Sequence, residues 1–128
     1  DRIDVHVDVP SVETQKLVEK DDKAKRETSR EIQKRVQIAR DIQIKRFKNT
    51  KVKSNAEMST RDVKKYCPLS PECRTMMISA TASMNLTARS YFKVIKVART
   101  IADLGGEKEI TVNHLAEALQ YRPKENDL

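Results

Sequence analysis

The sequence predicts an all-α fold, a small helical bundle of about five helices preceded by one N-terminal strand segment. Three observations carry that prediction. Helix-start signals recur along the chain, the apolar residues between them keep the three-to-four spacing of amphipathic helices, and the two glycines stand together at Gly105 and Gly106, where a helix is expected to stop.

Ile3–Val9 alternates Ile, Val, Val and Val with Asp, His and Asp, the period-two pattern of a strand, and Pro10 closes it. Its edge is unpaired in this chain, so it is expected to be poorly ordered or to pair opportunistically, with His6 a surface histidine on its polar side. Val12–Lys25 is charged and weakly patterned, a linker or a marginal helix. The expected organisation is therefore an N-terminal segment over 1–27, a helical domain over 28–122 and a tail over 123–128.

Thr28 with Glu31 makes a capping box that opens a long helix running to about Phe47. Ile32, Val36, Ala39, Gln43 and Phe47 follow one face of it, broadened by Ile42 and Ile44. Asn49–Met58 reads as a polar connection. Ser59 with Asp62 caps a short helix through Tyr66, and Ser70, with Pro71 at the first helical position, starts another reaching about Met84. Met76, Met77, Ala80 and Met84 in that helix are core filling. Thr87 caps the next helix, in which Tyr91, Val94, Ile95, Ala98, Ile101 and Ala102 fall in one arc at about 100° per residue. Thr111 caps the last, Val112–Tyr121, with Leu115, Ala118 and Leu119 inward, His114 exposed beside the cap, and Pro123 ending it.

At 128 residues the chain is one domain at most. Its 26 Lys and Arg against 19 Asp and Glu give a net charge of +7, which favours polyanionic partners without deciding for them. The charge is local: Lys45, Arg46, Lys48, Lys51 and Lys53 form one cluster, extended by Arg61, Lys64 and Lys65. Such runs are most often solvated, and phosphate contact is the other reading. With 4% aromatic residues, base stacking is not an expected mode of binding. Cys67 and Cys73 have no histidine near them in sequence and do not reach the four ligands of a structural zinc site, so they are expected to be reduced thiols and no metal site is expected. No apolar stretch is long enough to span a membrane and no signal-peptide pattern is present, so a cytoplasmic location is expected.

Arg89 is the residue that points towards function. It falls in the first turn after Thr87, beside the positive end of the helix dipole, where a cation is disfavoured by a few tenths of a kcal/mol. Arg89, Lys93, Lys96 and Thr100 lie opposite the apolar arc, on a face where a guanidinium and backbone N–H groups can converge on phosphate.

The run LTARSYFKVIKVARTIADL…HLAEALQYR over Leu86–Arg122, DRIDVHVDVP at Asp1–Pro10 and RVQIARDIQIKRF at Arg35–Phe47 followed by NAEMSTRDVKKYCPL resemble, in the same order, the magnesium-chelatase-like AAA+ ATPases. The wording is most similar to the ComM (YifB) competence and DNA helicase branch. Phe92 and Lys93 stand where many of that family have His and Arg. The resemblance implies a C-terminal helical lid, with Arg89 as the sensor 2 arginine at the nucleotide and Arg2 as an arginine finger acting in trans on a neighbouring subunit. It further implies ATP and Mg2+ as cofactors of the full-length protein, neighbouring AAA+ subunits in a hexameric ring as partners, and DNA as a possible substrate. No GxxxxGK[ST] loop occurs, so this chain is expected to be the end of an ATPase core plus its lid, inactive and monomeric by itself.

Three functions remain open on the sequence. The first is the lid of an ATP-driven DNA helicase or branch-migration motor of the ComM type. The second is the motor subunit of a magnesium-porphyrin chelatase, which shares the lid architecture. The third, from charge alone, is a free-standing basic helical module that binds DNA without ATP.

Overall fold

Thr28, Ser59, Ser70, Thr87 and Thr111 each accept the backbone N–H of the residue three positions on, so all five expected caps form. A cap of this kind contributes about 1 kcal/mol to the helix that it starts. The helices follow in a computed structural model that describes residues 5–7 and 28–122. They are α1 (Ser29–Arg46), α2 (Thr60–Tyr66), α3 (Pro71–Met84), α4 (Ala88–Leu104) and α5 (Val112–Gln120), with one 3-10 turn at Asn55–Glu57. The all-α bundle expected from the sequence is the fold observed, and no strand occurs among the described residues.

Helix ends follow equally local rules. Helix α1 ends at Arg46 and α5 at Gln120, each one residue short of the expected end, with Phe47 and Tyr121 as their caps. Asn85 takes the left-handed conformation after α3, at φ 53° and ψ 49°. After α4 the left-handed residue is Gly106, at φ 71°, and the Glu107 N–H turns back to the Ala102 carbonyl at 2.8 Å. A side chain at position 106 would find open space but a strained backbone, which is why glycine ends this helix.

Helix α4 is the centre of the bundle, packed on α5, α1 and α2. Its Val94, Ile95 and Ala98 meet Leu115 and Ala118 of α5, Cys73 and Met77 of α3, Val63 of α2, and Phe47, Met58 and Ile110 from the connections. Met77 and Leu115 are completely buried, each contributing about 1.5–3 kcal/mol by leaving water. The Phe47 ring meets the Tyr66 ring edge to face, with centroids 5.1 Å apart. The expected arc of α4 is borne out: Val94, Ile95, Ala98 and Ala102 are buried, and Tyr91 and Ile101 are half-buried.

Four expectations need correction. The first concerns α1, where only Ala39, Gln43 and Phe47 of the expected face are buried, while Ile32 and Val36 remain 44% and 40% exposed. At 18 residues the helix is about 27 Å long and outreaches the bundle beneath its C-terminal end. The second concerns Asn49–Met58, which enters the core through Met58, fully enclosed Asn55 and the partly buried Val52. The third is His114, which is half-buried because its Nδ1 accepts the Thr111 N–H at 2.9 Å and completes a capping box.

The fourth is the strand expected over Ile3–Val9. Its described part, Val5–Val7, is irregular. With no strand beside it among the described residues, the His6 N–H donates instead to the Tyr121 carbonyl at 2.6 Å, and the residue is half-buried there. The remainder of that segment, the Val12–Lys25 linker and Pro123 lie outside the described residues.

Candidate functional site

Helix α4 begins against the end of α5. The Thr87 hydroxyl accepts the Ser90 N–H and donates to the Ser90 Oγ, both at 3.1 Å. Arg122 reaches the same Oγ through Nη2 at 3.0 Å, and both Ser90 and Arg122 are buried. These bonds clamp the first turn of α4 to Arg122, two residues past the end of α5. Arg89 sits on that turn between Ala88 and Ser90, exposed to solvent, and no acidic residue shares the turn with it. The site thus presents a permanent cation at a braced helix N-terminus, an arrangement suited to an anion such as phosphate.

The remainder of the expected basic face is largely occupied. Lys96 Nζ donates to the Ala56 carbonyl at 3.4 Å, and Thr100 donates to the Lys96 carbonyl and accepts from Asn55. Lys93 is half-buried, so Arg89 is the exposed member of the four. Arg2 lies outside the described residues.

Beneath this face lies a polar cluster that the sequence reasoning did not anticipate. Arg46 leaves the expected solvated basic run and turns inward, its two terminal nitrogens donating to the Asp103 carboxylate at 2.9 and 2.6 Å. Arg99 binds the same carboxylate through Nε at 3.2 Å and also donates to the carbonyls of Glu107 and Lys108, at 2.7 and 2.9 Å. Asn55 links the elements: its amide donates to Asp103 and Thr100, its carbonyl accepts from Arg46, and its backbone N–H donates to the Gln43 side chain. Asp103 and Arg99 are almost completely buried.

The two guanidiniums respond in opposite directions. The Asp103 hydrogen bonds raise the pKa of Arg46, whereas burial lowers that of Arg99 despite its proximity to the same carboxylate. Both keep their charge. The cluster ties α1, the 3-10 turn, α4 and the loop after α4 into one piece, so its role is to hold the bundle that carries Arg89. A signal for it was present in the sequence, because Asp103 is a carboxylate in the last turn of a helix, as misplaced against the dipole as Arg89 is in the first.

Cys67 and Cys73 are buried free thiols, as expected. Burial pushes the Cys67 thiol up to about 11. Among the described residues, no group of three or more His, Cys, Asp or Glu is placed to hold a metal ion. Of the groups that could meet an anion, the described residues supply an exposed cation and a helix N-terminus.

Residues 26–122 match the profile of the family described as magnesium chelatase, subunit ChlI C-terminal. The chain belongs to that family. The magnesium chelatase C-terminal fold accounts for the helical lid architecture, and the chain is also similar to longer proteins. It is 35% identical over 122 residues to the competence protein ComM of Haemophilus influenzae, and 33% identical over 122 residues to YifB of Salmonella typhimurium. It is 34% identical over 96 residues to YifB of Escherichia coli. The first two alignments cover 95% of this chain and 23% of the relative, so the chain spans less than a quarter of the length of these proteins. Among the described residues, no helix is long and apolar enough to cross a membrane.

Proposed function

We propose that this chain is the lid segment of an ATP-driven DNA motor of the ComM type, in which Arg89 contacts nucleotide phosphate as the sensor 2 arginine. The observation that carries the proposal is the exposed guanidinium on the clamped first turn of α4, in a chain of the magnesium chelatase family. Its similarity to a relative named as a competence protein supports DNA as the substrate. Arg2 is proposed as the finger that reaches a neighbouring subunit's nucleotide in a ring, and a cytoplasmic location is proposed with it.

In this reading ATP, with Mg2+ held by other parts of the protein, supplies the phosphoryl chemistry. Arg89 supplies charge. Negative charge spreads over the phosphoryl oxygens as the terminal phosphate departs, and a fixed guanidinium opposite it lowers the barrier because it requires no reorganisation. The Thr87–Ser90–Arg122 bonds keep the turn in place, and the Asp103 cluster makes the bundle move as one body. Movement of the lid would then bring Arg89 to the phosphate or withdraw it.

The test is ATP hydrolysis by the full-length protein with and without forked or single-stranded DNA. Stimulation by DNA is the expected result, and Arg89→Ala should lower turnover at least about tenfold while leaving the fold intact. Wild-type turnover in that variant would remove Arg89 from the site. The description of the matching family favours one second reading, a porphyrin-chelatase motor, which predicts ATPase activity indifferent to DNA.

A further inference from the structure

Tyr91 and Phe92 of α4 and Ile78 of α3 line a groove that none of the described residues fills. Two adjoining hollows, of about 500 and about 460 Å³, share these three residues. Ile78 is 70% exposed. A single exposed isoleucine is ordinary, but this one stands between hollows walled by Leu69, Leu86 and Ile95, so the apolar surface is continuous. The Tyr91 and Phe92 rings brace each other edge to face, with centroids 5.2 Å apart, which makes that wall stiff.

Charge distinguishes the two ends. Lys64 and Arg74, both exposed, are the only charged side chains in the lining, both belong to the larger hollow, and no Asp or Glu lines either one. Along α3 the groove extends from Arg74 to Ala82, about 12 Å or two helical turns. That length suits a short amphipathic helix laid in by its apolar face. A nucleic-acid backbone fits less well, since it carries charge along its whole length and the groove offers cations at one end.

We propose that this groove docks an acidic amphipathic helix of a protein partner. Its apolar anchors meet Ile78, Tyr91 and Phe92, and its carboxylates meet Lys64 and Arg74.

Fluorescence anisotropy on the 128-residue chain tests the proposal with labelled helical peptides of about 14 residues that share leucines at i, i+4 and i+7 and carry either Glu or Lys beside them. A single-stranded oligonucleotide is the third probe. The acidic peptide should bind at least about tenfold more tightly than the basic one, and Ile78→Asp should weaken it by at least about tenfold. The double variant Lys64→Glu with Arg74→Glu should reverse the preference. These positions are exposed, so the helical circular dichroism of the variants should match wild type. The proposal is overturned if the acidic peptide fails to bind, if both peptides bind equally, if the acidic peptide ignores both sets of substitutions, or if the oligonucleotide occupies the groove with a dependence on Ile78.

Discussion

Asp103 stands in the last turn of α4, where the helix dipole disfavours a carboxylate, and two guanidiniums pair with it there. The balance is lopsided, with two cations to one anion, and the carbonyls of Glu107 and Lys108 each take one donor from a terminal nitrogen of Arg99. Removing the anion therefore takes the counterion from both arginines. Asp103→Asn should cost about 3–5 kcal/mol, the usual penalty for leaving a buried charge without its partner. Urea unfolding of the 128-residue chain checks this, and a loss below about 1 kcal/mol would show that the cluster is not what holds the elements together. Cys67 gives a pH-dependent counterpart. Burial raises its thiol pKa from 9.0 to about 11, so below pH 9 both the folded and unfolded states hold the proton and stability is unaffected. Between 9.0 and about 11 the unfolded chain loses the proton first, and stability falls by about 1.4 kcal/mol per pH unit. Cys67→Ala should remove that slope. Unfolding of both proteins at about pH 8 and about pH 10.5 separates it from the background titration, and parallel losses in the two would sink the assignment.

At the scale of the helix, caps were legible in the sequence and packing only in part. A cap is a contact between residues three apart, so Thr28 with Glu31, Ser59 with Asp62, and Ser70 with Pro71 announce themselves without knowledge of the fold. Periodicity correctly oriented α4 because that helix has neighbours along its length. It failed on α1, where the same apolar spacing gives Ile32 and Val36 but no described element lies against them. Asn55 illustrates the opposite error: a polar residue in a polar stretch is completely enclosed because Gln43, Arg46, Thr100 and Asp103 surround it. Arg46 was hidden by its lysine neighbours, since composition does not say which cation of a basic run has an anion within reach. The uneven burial of α1 carries its own prediction. Amides of residues 29–38, exposed on every side, should exchange with solvent water at least about tenfold faster than those of Ala39–Arg46, which the buried contacts and the Asp103 cluster hold. Hydrogen exchange read by NMR decides it, and uniform protection along α1 would mean that the helix opens as one unit.

For the whole molecule, the question is what a net charge of +7 does once Arg46 is subtracted from the surface. Lys48, Lys51 and Lys53 remain exposed after α1, and Arg61, Lys64 and Lys65 remain exposed on α2, so the positive surface is distributed over two neighbouring segments. Aromatic residues offer little competing chemistry: Phe47 and Tyr66 are engaged with each other, and Tyr91 and Phe92 pair across the groove wall. The fold was legible at this scale because caps and apolar arcs together define a bundle. The nucleotide-facing role proposed for Arg89 rests on resemblance, since an exposed guanidinium on a helix start has no local geometry that announces its partner. On the proposed reading, any DNA contact made by the isolated chain is electrostatic, with each phosphate neutralised releasing condensed counterions. If four of these side chains engage phosphates, affinity should fall about a hundredfold between about 50 and about 200 mM salt, with no preference among sequences. Anisotropy of labelled duplex and single-stranded oligonucleotides across that range measures the slope. Reversing Lys48, Lys51 and Lys53 to Glu should flatten it by about three contacts, while Arg89→Ala should change it by no more than about one. A slope near zero would show that these side chains do not engage phosphates, and failure of the isolated chain to bind would return DNA recognition to other parts of the full-length protein.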